Sequence, residues 1–240
     1  MRESASLTVR IPSIARGEWH PFTISSAPER NDILTLHVRT SGNWTSALER
    51  LAKARREGGP PLEVHVEGPY GTASAHVLES RHVLLVAAGI GVTPFASVLA
   101  SMLARLERDR ELPAEAVHFV WVCREQRAFD WFSNLLGRVE RAGARFDVRI
   151  FMDAGRRDLK SSVLRVAMDL LYATVEADLV TGLRARTTLG PPDWDALVGE
   201  IAARHAPARV DCFYCGPDGL AAIVERACAK HGARFRQEHF

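Results

Sequence analysis

"HVLLVAAGIGVTPFASVLASML" (His82–Leu103) is the stretch of sequence that decides the fold. From Val83 onward it carries no charge for roughly twenty residues, about the length that crosses a bilayer. The run nevertheless divides at a Gly-x-Gly followed by Pro94, a residue that suits the first turn of a helix. The residues before the glycines form an apolar run typical of a parallel strand buried on both faces. Because the residues after them continue into the polar ARLERDRE, we predict a strand, a glycine turn and a helix, and no transmembrane segment.

Strand-length apolar runs alternate with helical patterns from His82 to the end of the chain, which predicts a doubly wound parallel sheet. The further predicted strands are AVHFVWVC, FDVRIFM and RVDCFYC. The further predicted helices lie around AFDWFSNLLGRVERAG, LKSSVLRVAMDLLYATV, DWDALVGEIAARHA and DGLAAIVERACAKHG.

The first third of the sequence has a different pattern, in which short strands are separated by turns. The predicted strands are LTVRI, PFTISS, ILTLHVRT and LEVHVEGPYG. NWTSALERLAKARRE predicts one helix, with Thr45 as its N-cap. The change of pattern falls near residues 74–81, and we therefore divide the chain into a domain of residues 1–78 and a domain of residues 79–240.

Composition excludes several classes of protein. The chain has 47% hydrophobic and 25% charged residues, an ordinary globular balance. The net charge of +2 and the lack of a dense basic tract give no indication of nucleic-acid binding. The first residues, MRESASLTVRIPS, lack the apolar region of a secretory signal.

Four cysteines are too few to suggest a disulfide scaffold: Cys123, Cys212, Cys215 and Cys228. Cys212 and Cys215 form a C-x-x-C on a predicted strand, where residues three apart point to opposite faces. No second C-x-x-C or histidine pair completes a metal site, so we predict no metal. A zinc or redox pair is the less favoured alternative.

The glycine turn predicts a nucleotide site. Gly89 and Gly91 would let the backbone approach a phosphate closely, and the helix that follows offers free N–H groups to a pyrophosphate. Pro94 stands where the Rossmann fingerprint has its third glycine, so the turn is either a cradle of another lineage or only a tight turn. After the next strand, Arg124 suits the 2′-phosphate of NADPH, whereas Glu125 could bind the ribose of NAD instead. A plain surface arginine is the remaining interpretation.

In this order the motifs resemble the dehydrogenase region of the NADPH oxidases, which are part of the ferredoxin reductase-like flavoenzymes. The matching stretches are EWHPFTISSAPE, LHVRTSGNWT, EGPYGT, AAGIGVTPFASVL, VWVCREQRAFDWFSNLL, TGLRARTTLGPPDW, CGP and FRQEHF. The TGLRART block is most similar to the calcium-regulated branch. The resemblance implies an FAD-binding antiparallel β-barrel followed by an NADP-binding α/β domain, with FAD and NADPH as cofactors. Such a barrel has six strands, and because a strand pair should precede LTVRI, we expect it to be incomplete at its N-terminus and its FAD affinity to suffer.

The resemblance also implies residue roles. The flavin-binding set is His20, Pro21, Phe22, Thr23, His37, Arg39, Gly42, Trp44 and Thr45. The nucleotide-binding set is Gly89, Gly91, Thr93, Pro94, Cys123, Arg124, Arg186, Cys215, Gly216, Pro217 and Phe240. The residues implied at the reacting rings are Thr23, Cys215, Glu238 and Phe240, with Phe240 stacked on the flavin until nicotinamide displaces it. Pro191 replaces an arginine that the family uses for the 2′-phosphate, and Arg184 or Arg186 could substitute for it.

The function implied is hydride transfer from NADPH to FAD, with electrons passed to the haems of a transmembrane domain and then to oxygen, giving superoxide. This places the chain on the cytoplasmic face of a membrane in the parent protein. One alternative is the dehydrogenase domain of a ferric-chelate reductase. Others are a non-catalytic nucleotide-binding fragment that does not retain FAD, and a soluble flavin or ferredoxin reductase.

Overall fold

The computed structural model describes residues 5–30, 32–55, 60–71, 73–108, 110–123, 131–152, 178 and 181–238. The helix predicted at LKSSVLRVAMDLLYATV (159–175) lies outside these residues. The first part of the chain contains β1 (Ala5–Arg10), β2 (His20–Thr23), α1 (Asn43–Arg55), β3 (His65–Gly71) and a 3₁₀ segment, Ala73–Glu79. The second part contains β4 (His82–Ala88), a 3₁₀ turn (Gly89–Val92), α2 (Thr93–Leu106), β5 (Ala116–Cys123), α3 (Ser133–Arg141), β6 (Phe146–Met152), β7 (Thr187–Leu189), α4 (Trp194–His205), β8 (Asp211–Cys215), α5 (Asp218–Lys230) and β9 (Arg234–Glu238).

The first sheet is antiparallel and has the order β2-β1-β3. The strand predicted at ILTLHVRT is wrong, because the segment makes only a single bridge, between Leu36 and Ile24. Backbone pairing here is partial: Ser25 N and Ser25 Oγ both donate to Thr35 O at 2.9 Å, whereas Thr35 N donates to Ser26 Oγ at 3.1 Å and not to a backbone carbonyl. Side-chain bonds of this kind compete with strand pairing and end the ladder here.

Helix α1 begins two residues before its predicted N-cap, Thr45, so that prediction is wrong. The Thr45 hydroxyl accepts from the backbone N–H groups of Ser41 at 2.9 Å and Gly42 at 3.0 Å. In a capping box, the side chain of the third helical residue accepts a hydrogen bond from the backbone N–H just before the helix. Thr45 is the third residue of α1 and has the same role.

The second sheet is parallel, with six strands in the order β7-β6-β5-β4-β8-β9. The predicted doubly wound arrangement and the predicted strand, glycine turn and helix are confirmed. Strands β7 and β9 were not expected, because each is a short edge strand whose sequence, TTL or RFRQE, has no apolar run. The two cysteines of the C-x-x-C face opposite sides of β8, since Cys215 packs in the core on one face and Cys212 in the core on the other.

Helix α2 lies in the core beneath the sheet, where Phe95, Val98, Leu99 and Met102 are fully buried. Within the described residues, one helical stretch, Gly89–Leu106, is apolar and long enough to cross a membrane, and 67% of it is buried inside the fold. A soluble protein's core helix has the same length and composition, which agrees with the place of α2 in this fold.

The two parts of the chain pack against each other through α2. Ser97 Oγ donates to Ser26 O at 2.9 Å, and one turn later Ser101 Oγ donates to Glu29 Oε1 at 2.7 Å. These contacts tie the segment that follows β2 to the helix that follows the glycine turn.

Candidate cofactor site

The glycine turn between β4 and α2 has two structural requirements that only glycine meets. Gly89 has a φ of +57°, in the left-handed region that favours glycine. A Cβ on Gly91 would lie 2.3 Å from Cys215 O, so the turn and the end of β8 touch backbone to backbone. Trp121 Nε1 donates to Gly89 O at 3.1 Å and fixes the turn from the side of β5. The sequence therefore builds a tight turn at the start of α2, where a helix leaves its first backbone N–H groups without intrahelical partners.

The end of β8 forms the opposite wall of this site. Gly216 follows Cys215, and a Cβ there would lie 2.7 Å from the Ala88 Cβ. The Tyr214 hydroxyl donates to Pro217 O at 2.7 Å, which closes the turn into α5. Burial, and after it the negative charge of Glu238, raises the pKa of the Cys215 thiol well above its usual range, so the thiol is protonated at neutral pH.

Glu238 at the end of β9 completes this edge of the sheet, because it lies directly opposite Cys215 in the parallel register. The carboxylate is buried, and Glu238 Oε2 accepts from Ser74 N at 2.9 Å and from Ser74 Oγ at 2.8 Å. The carboxyl ends of β9, β8 and β4 thus bring Glu238, Cys215 and the glycine turn together, as in other α/β sheets that bind ligands at this edge.

The residues predicted to hold the flavin gather where β2 meets the start of α1. The His20 and Trp44 rings lie 4.2 Å apart between centroids, and the Phe22 and Trp44 rings lie 5.9 Å apart. Trp44 is buried, and within the described part of the chain its Nε1 has no hydrogen-bond partner. A buried donor without an acceptor is rare in proteins, so a polar ligand group here would satisfy it. Thr23 is buried at the end of the same strand, and Arg39 is exposed.

His37 lies apart from this aromatic group. Its ring stacks on Trp131, with 3.6 Å between centroids, and its Nδ1 lies 2.7 Å from Ser25 Oγ. Burial lowers the pKa of His37, which favours the neutral ring at physiological pH. The structure therefore places His37 at the contact between the two parts of the chain.

Not every predicted nucleotide residue reaches the glycine turn. Cys123 is buried at the end of β5. Arg186 is exposed and directly precedes β7, whereas Pro191 follows that strand with Gly190. Since β7 is parallel to β6, its end shares the sheet edge of the turn and its beginning faces away from that edge. Arg186 and Pro191 thus lie at opposite ends of this three-residue strand. Arg124 and Phe240 lie outside the described residues.

Sequence reasoning missed Ser74 and Trp131, which contact predicted site residues. Ser74 is 164 positions from its partner Glu238, and no local pattern connects them. The signal for Trp131 was available, since it lies in the matched stretch VWVCREQRAFDWFSNLL, but its partner His37 was assigned to the flavin.

Comparison with known proteins identifies the family. Residues 80–229 match the family model described as the ferric reductase NAD binding domain, and residues 4–74 match the model described as an FAD-binding domain. The chain belongs to the ferric reductase NAD-binding family. Within the described residues of this family member, no cluster of side chains is arranged to hold a metal ion.

The relatives of this ferric reductase-type chain confirm the resemblance to the NADPH oxidases. NADPH oxidase 5 of Homo sapiens is 35% identical over 290 residues, covering 98% of this chain and 38% of that protein. The superoxide-generating NADPH oxidase heavy chain of Dictyostelium discoideum is 35% identical, covering 92% of this chain and 44% of that protein. The chain therefore spans less than half the length of these curated relatives.

The fold is that of the ferredoxin reductases. Ferredoxin-NADP+ reductase from Plasmodium falciparum, in a structure with 2′P-AMP, superposes with a TM-score of 0.59 at 11% identity, covering all of this chain and 84% of that one. The predicted combination of an antiparallel flavin-binding part and a parallel-sheet nucleotide-binding domain is thus confirmed.

Proposed function

We propose that the chain is the dehydrogenase part of an NADPH oxidase, in which a hydride passes from NADPH to FAD. The observation that carries the proposal is the joint match of an FAD-binding domain and a ferric reductase NAD binding domain in one chain, together with oxidase relatives at 35% identity. The two matches, at residues 4–74 and 80–229, also support a division into domains at 1–78 and 79–240.

The glycine turn would hold the NADPH pyrophosphate. The lack of space for a Cβ at Gly91 supports this assignment, because a side chain there would displace the turn from the end of β8. Thr93 is buried in the first turn of α2, with its hydroxyl 3.2 Å from Ile90 O, and Pro94 follows within the same first turn. The N–H groups that a helix leaves unpaired in this turn would face the phosphate charge.

The aromatic group of His20, Phe22 and Trp44 would bind the flavin part, with Thr23 beside the ring. The buried, unpartnered Trp44 Nε1 supports a polar ligand at this place. When bound, the cofactors supply the redox chemistry: the nicotinamide gives up a hydride, and the flavin takes two electrons and releases them singly. The task of the chain is to hold the reacting atoms of the two rings roughly 3–3.5 Å apart and to exclude water between them.

Cys215 and Glu238 would border the nicotinamide. The raised pKa of the Cys215 thiol supports a neutral packing role for it, rather than that of a nucleophile. Glu238 would then supply the negative charge on this side of the ring. Phe240, two residues further on, would cover the flavin until the nicotinamide arrives.

The whole parent protein would pass the electrons to a haem-containing transmembrane domain and then to oxygen, with this chain on the cytoplasmic side of the membrane. The name of the Dictyostelium relative, a superoxide-generating oxidase, supports superoxide as the product. The description of the matched family favours a second candidate, in which the same half-reaction serves a ferric reductase. The acceptor that the reduced flavin uses separates the two.

The test is anaerobic reduction of FAD. The purified chain is mixed with FAD, oxygen is removed, NADPH or NADH is added, and the visible absorbance of oxidised flavin is followed. We expect rapid bleaching with NADPH. Comparable bleaching with NADH would mean that Pro191 costs the chain its preference for the 2′-phosphate, whereas no bleaching with either nucleotide would contradict the proposed function.

A further inference from the structure

The contact between Ser74 and Glu238 joins the two parts of the chain at the candidate site. Ser74 lies in the 3₁₀ segment just after β3, and Glu238 is the last residue of β9. Ser74 is 1% exposed and Glu238 is 5% exposed, so the contact is shielded from water. Both hydrogen bonds, from N at 2.9 Å and from Oγ at 2.8 Å, go to Glu238 Oε2, which leaves Oε1 unused by Ser74.

A buried carboxylate needs donors of this kind. A charge out of contact with water is costly unless hydrogen bonds compensate it, and bonds to an ionised acceptor are about twice as strong as neutral ones. Ser74 supplies two donors without adding a charge of its own. An arginine or lysine at this position would instead neutralise the carboxylate and cancel its field.

The contact with Ser74 keeps the Glu238 carboxylate near Cys215 and the glycine turn. Glu238 lies opposite Cys215 in the sheet register, and Cys215 O is the atom against which Gly91 packs. The rise in the pKa of the Cys215 thiol, caused first by burial and then by the Glu238 charge, agrees with a carboxylate held close to that thiol. A rotation of the Glu238 side chain would remove the negative charge from this corner of the site.

We propose that Ser74 is a positioning residue for hydride transfer, which fixes the Glu238 carboxylate beside Cys215 by binding its Oε2 from the flavin side of the molecule. The inference rests on the proposed function. It adds a residue that acts through Glu238, and it assigns the neutral Ser74 hydroxyl the role of keeping that charge in place.

The variant that tests this is Ser74→Ala, which removes the hydroxyl and keeps the backbone donor. A hydrogen bond to a charged group is worth roughly a factor of ten or more, so we expect flavin reduction to slow about tenfold. The KM for NADPH is expected to stay unchanged, because the glycine turn that binds the phosphates is untouched. The matched control is Ser80→Ala, a buried serine directly after the same 3₁₀ segment, whose hydroxyl donates to His76 O at 3.3 Å.

A double-mutant cycle shows whether Ser74 acts through Glu238. Flavin reduction is measured by anaerobic stopped flow for the full chain with FAD, for Ser74→Ala, for Glu238→Ala and for the double variant. We expect Ser74→Ala to add nothing once Glu238 is removed. A readout that needs no cofactor is hydrogen exchange of the Ser74 amide, which should be slow in the full chain and in Ser74→Ala and fast in Glu238→Ala.

The outcomes separate this inference from the proposed function. If NADPH fails to reduce FAD on the unaltered chain, the proposed function is overturned, and the inference falls with it. If the unaltered chain is active but Ser74→Ala matches it, the inference alone is overturned. Three further results would overturn the inference. They are equal slowing of flavin reduction by Ser80→Ala, additive effects of the two substitutions in the double-mutant cycle, and rapid exchange of the Ser74 amide in the unaltered chain.

Discussion

At the scale of single residues, the candidate site requires a glycine where the backbone of the turn packs directly on the end of β8. Gly91 packs its backbone on the end of β8, with Cys215 O 2.3 Å from where a Cβ would be. This contact explains the second glycine of the Gly-x-Gly, and it links the start of α2 to the strand that carries Cys215. Gly91 is thus required by the packing of the fold, independently of any contact with a ligand.

Gly91→Ala should therefore disturb both stability and binding. Forcing a methyl group into a filled space costs about 1–3 kcal/mol in the free energy of unfolding, and the displaced turn should bind 2′,5′-ADP more weakly. Denaturant unfolding and calorimetric titration measure the two effects. Gly219→Ala is the control, since nothing lies within 4 Å of its Cβ position. Unchanged unfolding and binding in Gly91→Ala would show that the turn can move aside.

The sequence predicts the glycine turn because its features are local: an apolar strand, Gly-x-Gly and a proline in the first helical turn. It does not predict Ser74, whose partner is 164 residues away. It also does not predict that His37 stacks on Trp131, because a histidine on an apparent strand carries no signal for that contact. Residue roles that depend on long-range contacts follow only from the packed structure.

At the scale of elements, a buried carboxylate shapes the segment that leads into β7. Asp178 Oδ1 accepts from Thr181 N at 3.0 Å, Thr181 Oγ1 at 2.9 Å and Thr187 Oγ1 at 2.8 Å, and Oδ2 accepts from Thr187 N at 2.7 Å. Four donors around one carboxylate hold both ends of a loop that carries two exposed arginines, Arg184 and Arg186.

Asp178→Asn should loosen this loop. An amide presents N–H groups to donors that need an acceptor, so we expect a loss of about 2–3 kcal/mol in the free energy of unfolding. Asp32→Asn is the control, because Asp32 pairs with Arg30 at 3.5 Å with its side chain 68% exposed, and exposed pairs contribute little. Equal unfolding curves for the two variants would show that the carboxylate is not what holds the loop.

The elements with strong periodicity were predictable, and those built from short or polar segments were not. AVHFVWVC and FDVRIFM appear as strands with the predicted bounds. The first is a largely apolar strand buried on both faces, and the second alternates between buried apolar residues and partly exposed ones such as Asp147 and Arg149. ILTLHVRT alternates as a strand should, yet Ile33 and Leu34 are exposed, and the backbone N–H of Thr35 donates to the Ser26 hydroxyl and not to a neighbouring strand. The surrounding structure, and not the local alternation of residues, therefore determines that this segment does not form a strand.

At the scale of the whole molecule, a histidine network joins the strands at the sheet edge opposite the candidate site. His118 Nδ1 lies 3.0 Å from Asp147 Oδ2, and His118 Nε2 lies 2.8 Å from His205 Nε2. The His82 ring stacks on His205 at 4.4 Å. Burial, with the neighbouring His82, His118 and Arg204, lowers the pKa of His205. Hydrogen bonding from His118 and Arg149 holds the pKa of Asp147 far below its usual range.

The network should make stability depend on pH. Because the folded His205 has a lowered pKa, the unfolded chain binds more protons as the pH falls below about 6.5, so stability is lost in that direction. His37, which is partly buried and also has a lowered pKa, acts with the same sign. Asp147 contributes above its unfolded pKa and loses its contribution only below about pH 4.

Unfolding free energies measured between pH 8 and 5 test this. The unaltered chain should lose up to about 1.4 kcal/mol per pH unit for each such histidine, and His205→Gln should flatten the slope in part. A flat profile in the unaltered chain, or an unchanged slope in His205→Gln, would contradict a lowered pKa of His205 in the folded chain.

In the proposed function, one chain brings NADPH and FAD close enough for direct hydride transfer. The most direct measurement is anaerobic stopped-flow reduction of FAD on this chain with NADPH and with NADPH deuterated at the nicotinamide C4. Flavin bleaching that is slower with the deuterated nucleotide is the predicted result, since the C4–H bond breaks in the step observed. Flavin that stays oxidised, in a chain that binds both FAD and NADPH, would contradict the account.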